Sequence, residues 1–138
     1  MTRPPTPYGI TGHGGYVPRL RMQRAAISAA HRWMSGSSGA THKGERAFCS
    51  WDEDSVTMAV EAARDALDDR PRTAIQAVTL ATTRPAFADL QSASIVASAL
   101  DLPSSVRTLE LGQSQRAGVG GLLHHLRAAH DNVLFIAS

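Results

Sequence analysis

The sequence predicts an α/β protein, a βαβαβ layered sheet flanked by helices. Three observations carry this expectation. Short strand-like segments at 77–81, 106–111 and 132–137 alternate with helical-period stretches, the pattern of βαβ units with right-handed crossovers. The last run, NVLFIA, is apolar throughout rather than alternating, which marks a parallel strand covered on both faces. Finally, 43% of residues are hydrophobic but only 5% aromatic, which favours closely packed helices over a sandwich of bulky strands.

The elements follow in order. Residues 8–17 suggest a strand interrupted by glycines and closed by Pro18. Residues 23–33 suggest a helix, with Ala26, Ala30 and Trp33 spaced for one face. The stretch 35–44, SGSSGATHKG, has the composition of a flexible loop or linker. A helix start follows at Asp52, Glu53 and Asp54. These acids face a positive helix dipole, and Asp54 or Ser55 can cap free N–H groups. Val56, Ala59, Val60, Ala63 and Leu67 then form an apolar stripe, and Asp68, Asp69 and Pro71 end the helix. Residues 77–81 predict a strand, 82–88 a loop, and 89–100 a helix with Ile95, Val96, Ala99 and Leu100 inward. Residues 106–111 predict a strand. Residues 116–129 predict a helix with Val119, Leu122, Leu123 and Leu126 in register. Gly118, Gly120 and Gly121 inside it each cost about 1 kcal/mol relative to Ala, which implies close approach to another backbone. The chain stops on the apolar strand 132–137, where an α/β fold rarely ends cleanly, which suggests a fragment or a subunit whose sheet is completed elsewhere.

Length and charge set further bounds. The 138 residues fit one domain, 1–138, with enough chain to bury a core without disulfides. The lone cysteine excludes an internal disulfide and suits a reducing compartment. MTRPPTPYG lacks a signal-peptide apolar region, and no run reaches the roughly 20 residues of a membrane span. The expected location is the cytoplasm, with no membrane partner. Net charge is +2, and basic residues cluster at Arg19, Arg21, Arg24, Arg32, Lys43 and Arg46. Without interleaved aromatics or zinc-finger spacing this reads as a solvated face, not a nucleic-acid site.

Motifs for self-contained chemistry are sparse. Gly12, Gly14 and Gly15 miss the GxGxxG dinucleotide spacing. His124 and His125 point to different faces and His130 is five residues beyond His125, so no metal geometry results. Asp52–Asp54 is explained by capping rather than by a metal. Cys49 precedes an acidic stretch and reads as inert and half-buried.

Four stretches together resemble the thiolase superfamily. They are GHGGYVPRLRMQR (12–24), GERAFCSWDEDSVTMAVEAARDAL (44–67), LATTRPAFADLQSASIVASAL (80–100) and VRTLELGQSQRAGVGGL (106–122). The similarity is to the N-terminal half of the 3-hydroxy-3-methylglutaryl-CoA synthase-like branch, with β-ketoacyl synthase III-like proteins as the related alternative. The resemblance implies a thiolase-like half, incomplete relative to the two-half family fold. It also implies a nucleophilic cysteine at the start of a buried helix, where N–H groups and the dipole favour a thiolate that accepts an acyl group from coenzyme A.

That cysteine lies five residues after an acid, here Glu110, and before a small pair, here Ala117–Gly118. Its position falls on Gln115, and an amide cannot be acylated by thioester exchange. The family's acid/base glutamate position falls on Thr83. The expected catalytic set is therefore empty, and the resemblance points to a non-catalytic scaffold or partner subunit with acyl-CoA association. The alternative is a Gln-type decarboxylase or acyltransferase component that needs a second half or partner chain. The resemblance further implies coenzyme A or acyl-CoA as ligand, with Arg19, Arg21 and Arg24 as phosphate contacts. Implied partners are a homodimer through 106–111, a second thiolase-like half, or an OB-fold zinc-ribbon protein.

Overall fold

The structure, a computed structural model, describes residues 8–34, 43–128 and 131–138. They form two compact units, one from the described residues of Met1–Tyr16 and Asp54–Ser138, the other Val17–Glu53. Among the described residues no helix is long and apolar enough to cross a membrane.

The smaller unit is a β-ribbon with a short helix. β1 (Leu20–Gln23) pairs antiparallel with β2 (Glu45–Phe48), and α1 (Arg24–Ala30) follows β1 directly. The helix is shorter than the 23–33 expected, because residues 31–34 form turns. Neither strand was predicted from the sequence: β1 falls between the expected strand 8–17 and helix 23–33, and the ERAF of β2 has no long apolar run, so pairing along β1 makes it a strand. Of the expected 35–44 loop, 35–42 lies outside the described residues.

The larger unit carries the expected βαβαβ core. α2 (Ser55–Leu67) leads through a short 3₁₀ turn (Arg72–Ala74) into β3 (Ala77–Ala81), α3 (Ser92–Ala99), β4 (Arg107–Leu111), α4 (Ala117–Ala128) and β5 (Val133–Ala137). The sheet is parallel with strand order β4-β3-β5, so β3 is central.

α2 begins where its chemistry dictates. The Asp54 carboxylate accepts from the Val56 and Thr57 N–H groups at 2.9 and 2.8 Å, and Thr57 Oγ1 accepts from the Asp54 N–H at 2.8 Å. These bonds to the charged form, that to the Thr57 N–H foremost, hold the Asp54 carboxyl below its ordinary value. All five stripe residues, Val56, Ala59, Val60, Ala63 and Leu67, are buried as the period requires.

The strand residues divide between two layers by parity. Val78, Leu80, Leu134 and Ile136 join α2 and α3 in one core with Ala93, Val96 and Leu100. Each large side chain buried there contributes about 1.5–3 kcal/mol. α3 starts three residues later than expected, and Ala93 rather than Ala99 faces inward.

The alternate strand face meets α4. Here the expected register is wrong by a fraction of a turn. Val119 is 67% exposed and Leu123 44% exposed, while Gly121 is buried. A Cβ on Gly121 would lie 2.5 Å from Leu111 Cδ1 and 2.8 Å from Phe135 Cε2, whereas one on Gly120 meets nothing within 4 Å. Only one of the three glycines is therefore required for close approach.

Residues 8–16 form no strand, contrary to the expectation. They are tied to α2 instead. The Gly15 N–H donates to Asp65 Oδ2 at 2.8 Å, Arg70 donates to the Thr11 carbonyl, and a Cβ on Gly14 would sit 2.2 Å from the Ala66 nitrogen.

The two helix glycines make a paired test. Gly120→Ala is expected to stabilise by about 1 kcal/mol through helix propensity. Gly121→Ala is expected to destabilise by about 1 kcal/mol or more through overpacking against Leu111 and Phe135. Urea melts of the two variants check this.

Candidate functional site

In a parallel sheet the carboxyl ends of the strands and the N-termini of the crossover helices meet at one edge, the usual place for ligands. Both sequence-predicted site positions fall there. Thr83 is exposed in the loop directly after β3, and Gln115 is exposed in the turn two residues before α4. The two loops leave the sheet side by side. The Thr82 N–H donates to the Leu111 carbonyl at 2.9 Å, and a Cβ on Gly112 would lie 3.6 Å from the Thr82 carbonyl oxygen.

The turn holding Gln115 is built locally. Gln113 takes φ +62°, a left-handed conformation that side chains rarely adopt. It reverses the chain so that Ser114 closes the start of α4. Ser114 Oγ accepts from the Arg116 N–H at 3.1 Å, and the Ser114 carbonyl accepts from the Ala117 N–H at 3.0 Å.

Three helix N-termini converge on this edge, and they differ in charge. α2 carries the Asp54 carboxylate. α3 has Gln91 at its cap with no side-chain cap bond of its own. Its acceptor comes from β4, where Glu110 Oε2 takes the Ser92 N–H at 2.6 Å and the Ala93 N–H at 3.4 Å. The Ser92 hydroxyl is buried with no partner among the described residues, so Ser92 contributes its main chain. Thr108 Oγ1 donates to Gln91 Oε1 at 2.7 Å and braces the same corner. Before α4 the Ser114 hydroxyl takes the Arg116 N–H, one residue ahead of the helix, and this is the helix that Gln115 precedes.

The sequence reading missed what Glu110 does. The signal was present: a carboxylate in a strand otherwise apolar at that end, beside a helix whose cap residue is a poor one. It also missed His125. That ring's Nε2 lies 2.9 Å from Thr79 Oγ1, tying α4 to the buried central strand, with Phe135 6.0 Å away. Desolvation, then the neighbouring His124, holds His125 below its ordinary value, and Asp131 opposes them.

The remaining candidates lie elsewhere. Arg19, Arg21 and Arg24 belong to the smaller unit. Arg21 donates to the carbonyls of Pro18 and, at 3.0 Å, Leu20; Arg24 Nε donates to the Glu45 carbonyl at 3.3 Å. Cys49 is exposed rather than half-buried, because it follows β2 on the ribbon and not a helix start. His130 lies outside the described residues.

Against known proteins, no family model matches the chain. It is 34% identical to the hydroxymethylglutaryl-CoA synthase of Methanocaldococcus jannaschii over 121 residues, 83% of this chain and 34% of that protein. It is likewise 34% identical to the hydroxymethylglutaryl-CoA synthase of Aeropyrum pernix over 122 residues, 86% of this chain and 34% of that protein. The chain thus spans about a third of the length of these relatives. Among solved structures it is similar to a 3-oxoacyl-(acyl-carrier-protein) synthase III, with TM-score 0.76, 20% identity, and coverage of 95% of this chain and 42% of the other. It is also similar to the β-ketoacyl-(acyl carrier protein) synthase III of Thermus thermophilus, with TM-score 0.72, 24% identity, and coverage of 94% and 42%.

Two measurements probe the edge and its tether. Glu110→Ala leaves two helix N–H groups without their charged acceptor and is expected to cost about 2 kcal/mol, with Glu110→Gln losing less; denaturant melts decide this. The folded state favours neutral His125. Its contribution is therefore complete above the unfolded value near 6.5 and is lost as pH falls through the lower folded value. Thermal melts from pH 7 to 5 should show this loss, and His125→Gln should flatten it.

Proposed function

We propose, for a chain that belongs to the thiolase superfamily and is hydroxymethylglutaryl-CoA synthase-like in sequence, that it is a non-catalytic acyl-CoA-associated component acting as a scaffold or partner subunit in the cytoplasm. The observation that carries this reading is Gln115 in the turn before α4. In the family resemblance that position holds the thiol. An amide supplies neither a nucleophile nor a leaving proton for thioester exchange, and Thr83 beside it supplies no acid or base at neutral pH. The geometry supports ligand association without transfer, since the N–H groups at the α4 terminus, where no carboxylate bond is seen among the described residues, favour an acyl carbonyl or another electron-rich group.

The same reading assigns partners. The outer face of α4, with Val119 and Leu123 exposed, is proposed to meet a second thiolase-like half. The free edge of β4, with Leu109 44% exposed, is proposed as a dimer seam. Arg19, Arg21 and Arg24 are proposed contacts for coenzyme A phosphates.

A second reading rests on the same residue. The Gln115 amide is able to donate a hydrogen bond to an enolate, as a decarboxylase component requires, with bases supplied by another chain.

Radiolabelled acetyl-CoA distinguishes the readings. Reversible coenzyme A binding by calorimetry with no covalent label is expected. A stoichiometric adduct that persists in Cys49→Ser, or the absence of any binding, would overturn the proposal. Release of carbon dioxide from malonyl-CoA by the chain would replace it with the second reading.

A further inference from the structure

The smaller unit, taken by itself and apart from the acyl-CoA reading, has no interior. No described residue of Val17–Glu53 is buried, and α1 buries none of its side chains. A two-stranded ribbon with no covering layer is marginal in water. Opposed residues of an antiparallel pair share a face and successive residues alternate, so the register sorts β1 and β2 into two unlike faces. Arg21, Gln23, Glu45 and Ala47 make a polar face. There Gln23 Nε2 donates to Glu45 Oε1 at 2.7 Å, and Arg21 donates to the carbonyls of Pro18 and Leu20. Leu20, Met22 and Phe48 make the other face, with Arg46 beside them, and all three apolar side chains are exposed.

Apolar exposure is concentrated in this unit. It is the smaller of the two, yet it holds half of the exposed large apolar side chains among the described residues. These include both tryptophans of the chain, Trp33 at 82% and Trp51 at 96% exposed. Positive charge is concentrated there too. Arg19, Arg21, Arg24, Arg32, Lys43 and Arg46 stand against only Glu45, Asp52 and Glu53, so the unit is more positive than the whole chain at +2.

We infer that the smaller unit binds the surface of an anionic lipid bilayer. The open ribbon face enters the headgroup layer, where Leu20, Met22 and Phe48 leave water. An indole, with an apolar body and one N–H, suits the same layer. The cations supply attraction to lipid phosphates, and surface binding of this kind needs no spanning helix. Nucleic acid answers the charge but not the aliphatic face, because Leu20 and Met22 offer a base neither a ring nor a hydrogen bond. A second copy brings the same positive charge to the contact and is disfavoured for that reason.

Since both tryptophans lie in this unit, intrinsic emission reports on it alone. Vesicles of mixed phosphatidylglycerol and phosphatidylcholine should shift that emission to the blue, and brominated acyl chains should quench it. Vesicles of phosphatidylcholine alone should bind about tenfold more weakly or less. Lys43→Gln/Arg46→Gln, a pair outside the proposed coenzyme A contacts, should weaken binding to the mixed vesicles by about tenfold. Met22→Ser/Phe48→Ser should do the same through the apolar term, with circular dichroism to check that each variant folds. No binding, equal binding to neutral vesicles, or binding without a blue shift overturns the inference. So does a concentration-dependent dimer that Phe48→Ser dissociates, which assigns the face to a second copy. Binding to a single-stranded oligonucleotide with no response to vesicles assigns the charge to nucleic acid and overturns it as well. Each of these results stands whether or not coenzyme A binds.

Discussion

The larger unit depends on the burial of one strand. β3 pairs on both edges and is covered on both faces, and Val78, Thr79 and Leu80 are at most 1% exposed. Such a strand has no water-facing side on which to satisfy a polar group, so every neighbour must answer it. α2 and α3 do so with a continuous apolar layer. α4 does so by bringing Gly121 against Leu111 and Phe135 and by giving the buried Thr79 hydroxyl of β3 a partner in His125. Close packing leaves little tolerance at these contacts.

The same burial arranges the functional edge. Because β3 and β4 run parallel and their crossover helices return antiparallel, helix N-termini collect at one end of the sheet. Concentrated positive dipole ends need compensation, and the chain supplies it unevenly. Asp54 and Glu110 answer α2 and α3, whereas among the described residues the start of α4 is met by the neutral Ser114 hydroxyl, on the Arg116 N–H just before the helix. An uncompensated helix start beside the Thr83 and Gln115 loops is where the acyl-CoA proposal draws its physical support. At the opposite flank, β5 has one strand neighbour among the described residues.

Legibility from the sequence varied with how local the cause was. α2 was readable to within a residue or two, with the cap left between Asp54 and Ser55 and the end among Asp68, Asp69 and Pro71, since its cap, period and terminating residues are all local in sequence. β3 and β5 were readable because each is a short, nearly continuous apolar run, whereas β4, RTLEL, was placed by its position between two helical stretches. α4 was misread by register: Leu122 and Leu123 are equally apolar, and only the fit of Gly121 to Leu111 and Phe135 chooses the inward face. β2 and the segment 8–16 failed for a related reason. ERAF becomes a strand only through β1, and the glycine-rich start is kept from pairing by α2.

By itself, then, the sequence determined the βαβαβ order, the capped amphipathic helix and the absence of a thiol where the resemblance expects one. Each of these follows from residue type and spacing along the chain. Tertiary structure alone decided that Glu110 of one strand caps a helix eighteen residues earlier and that His125 tethers α4 to β3. Those facts concern which groups lie within about 3 Å across the fold, a distance set by how layers pack and not by any interval in the sequence.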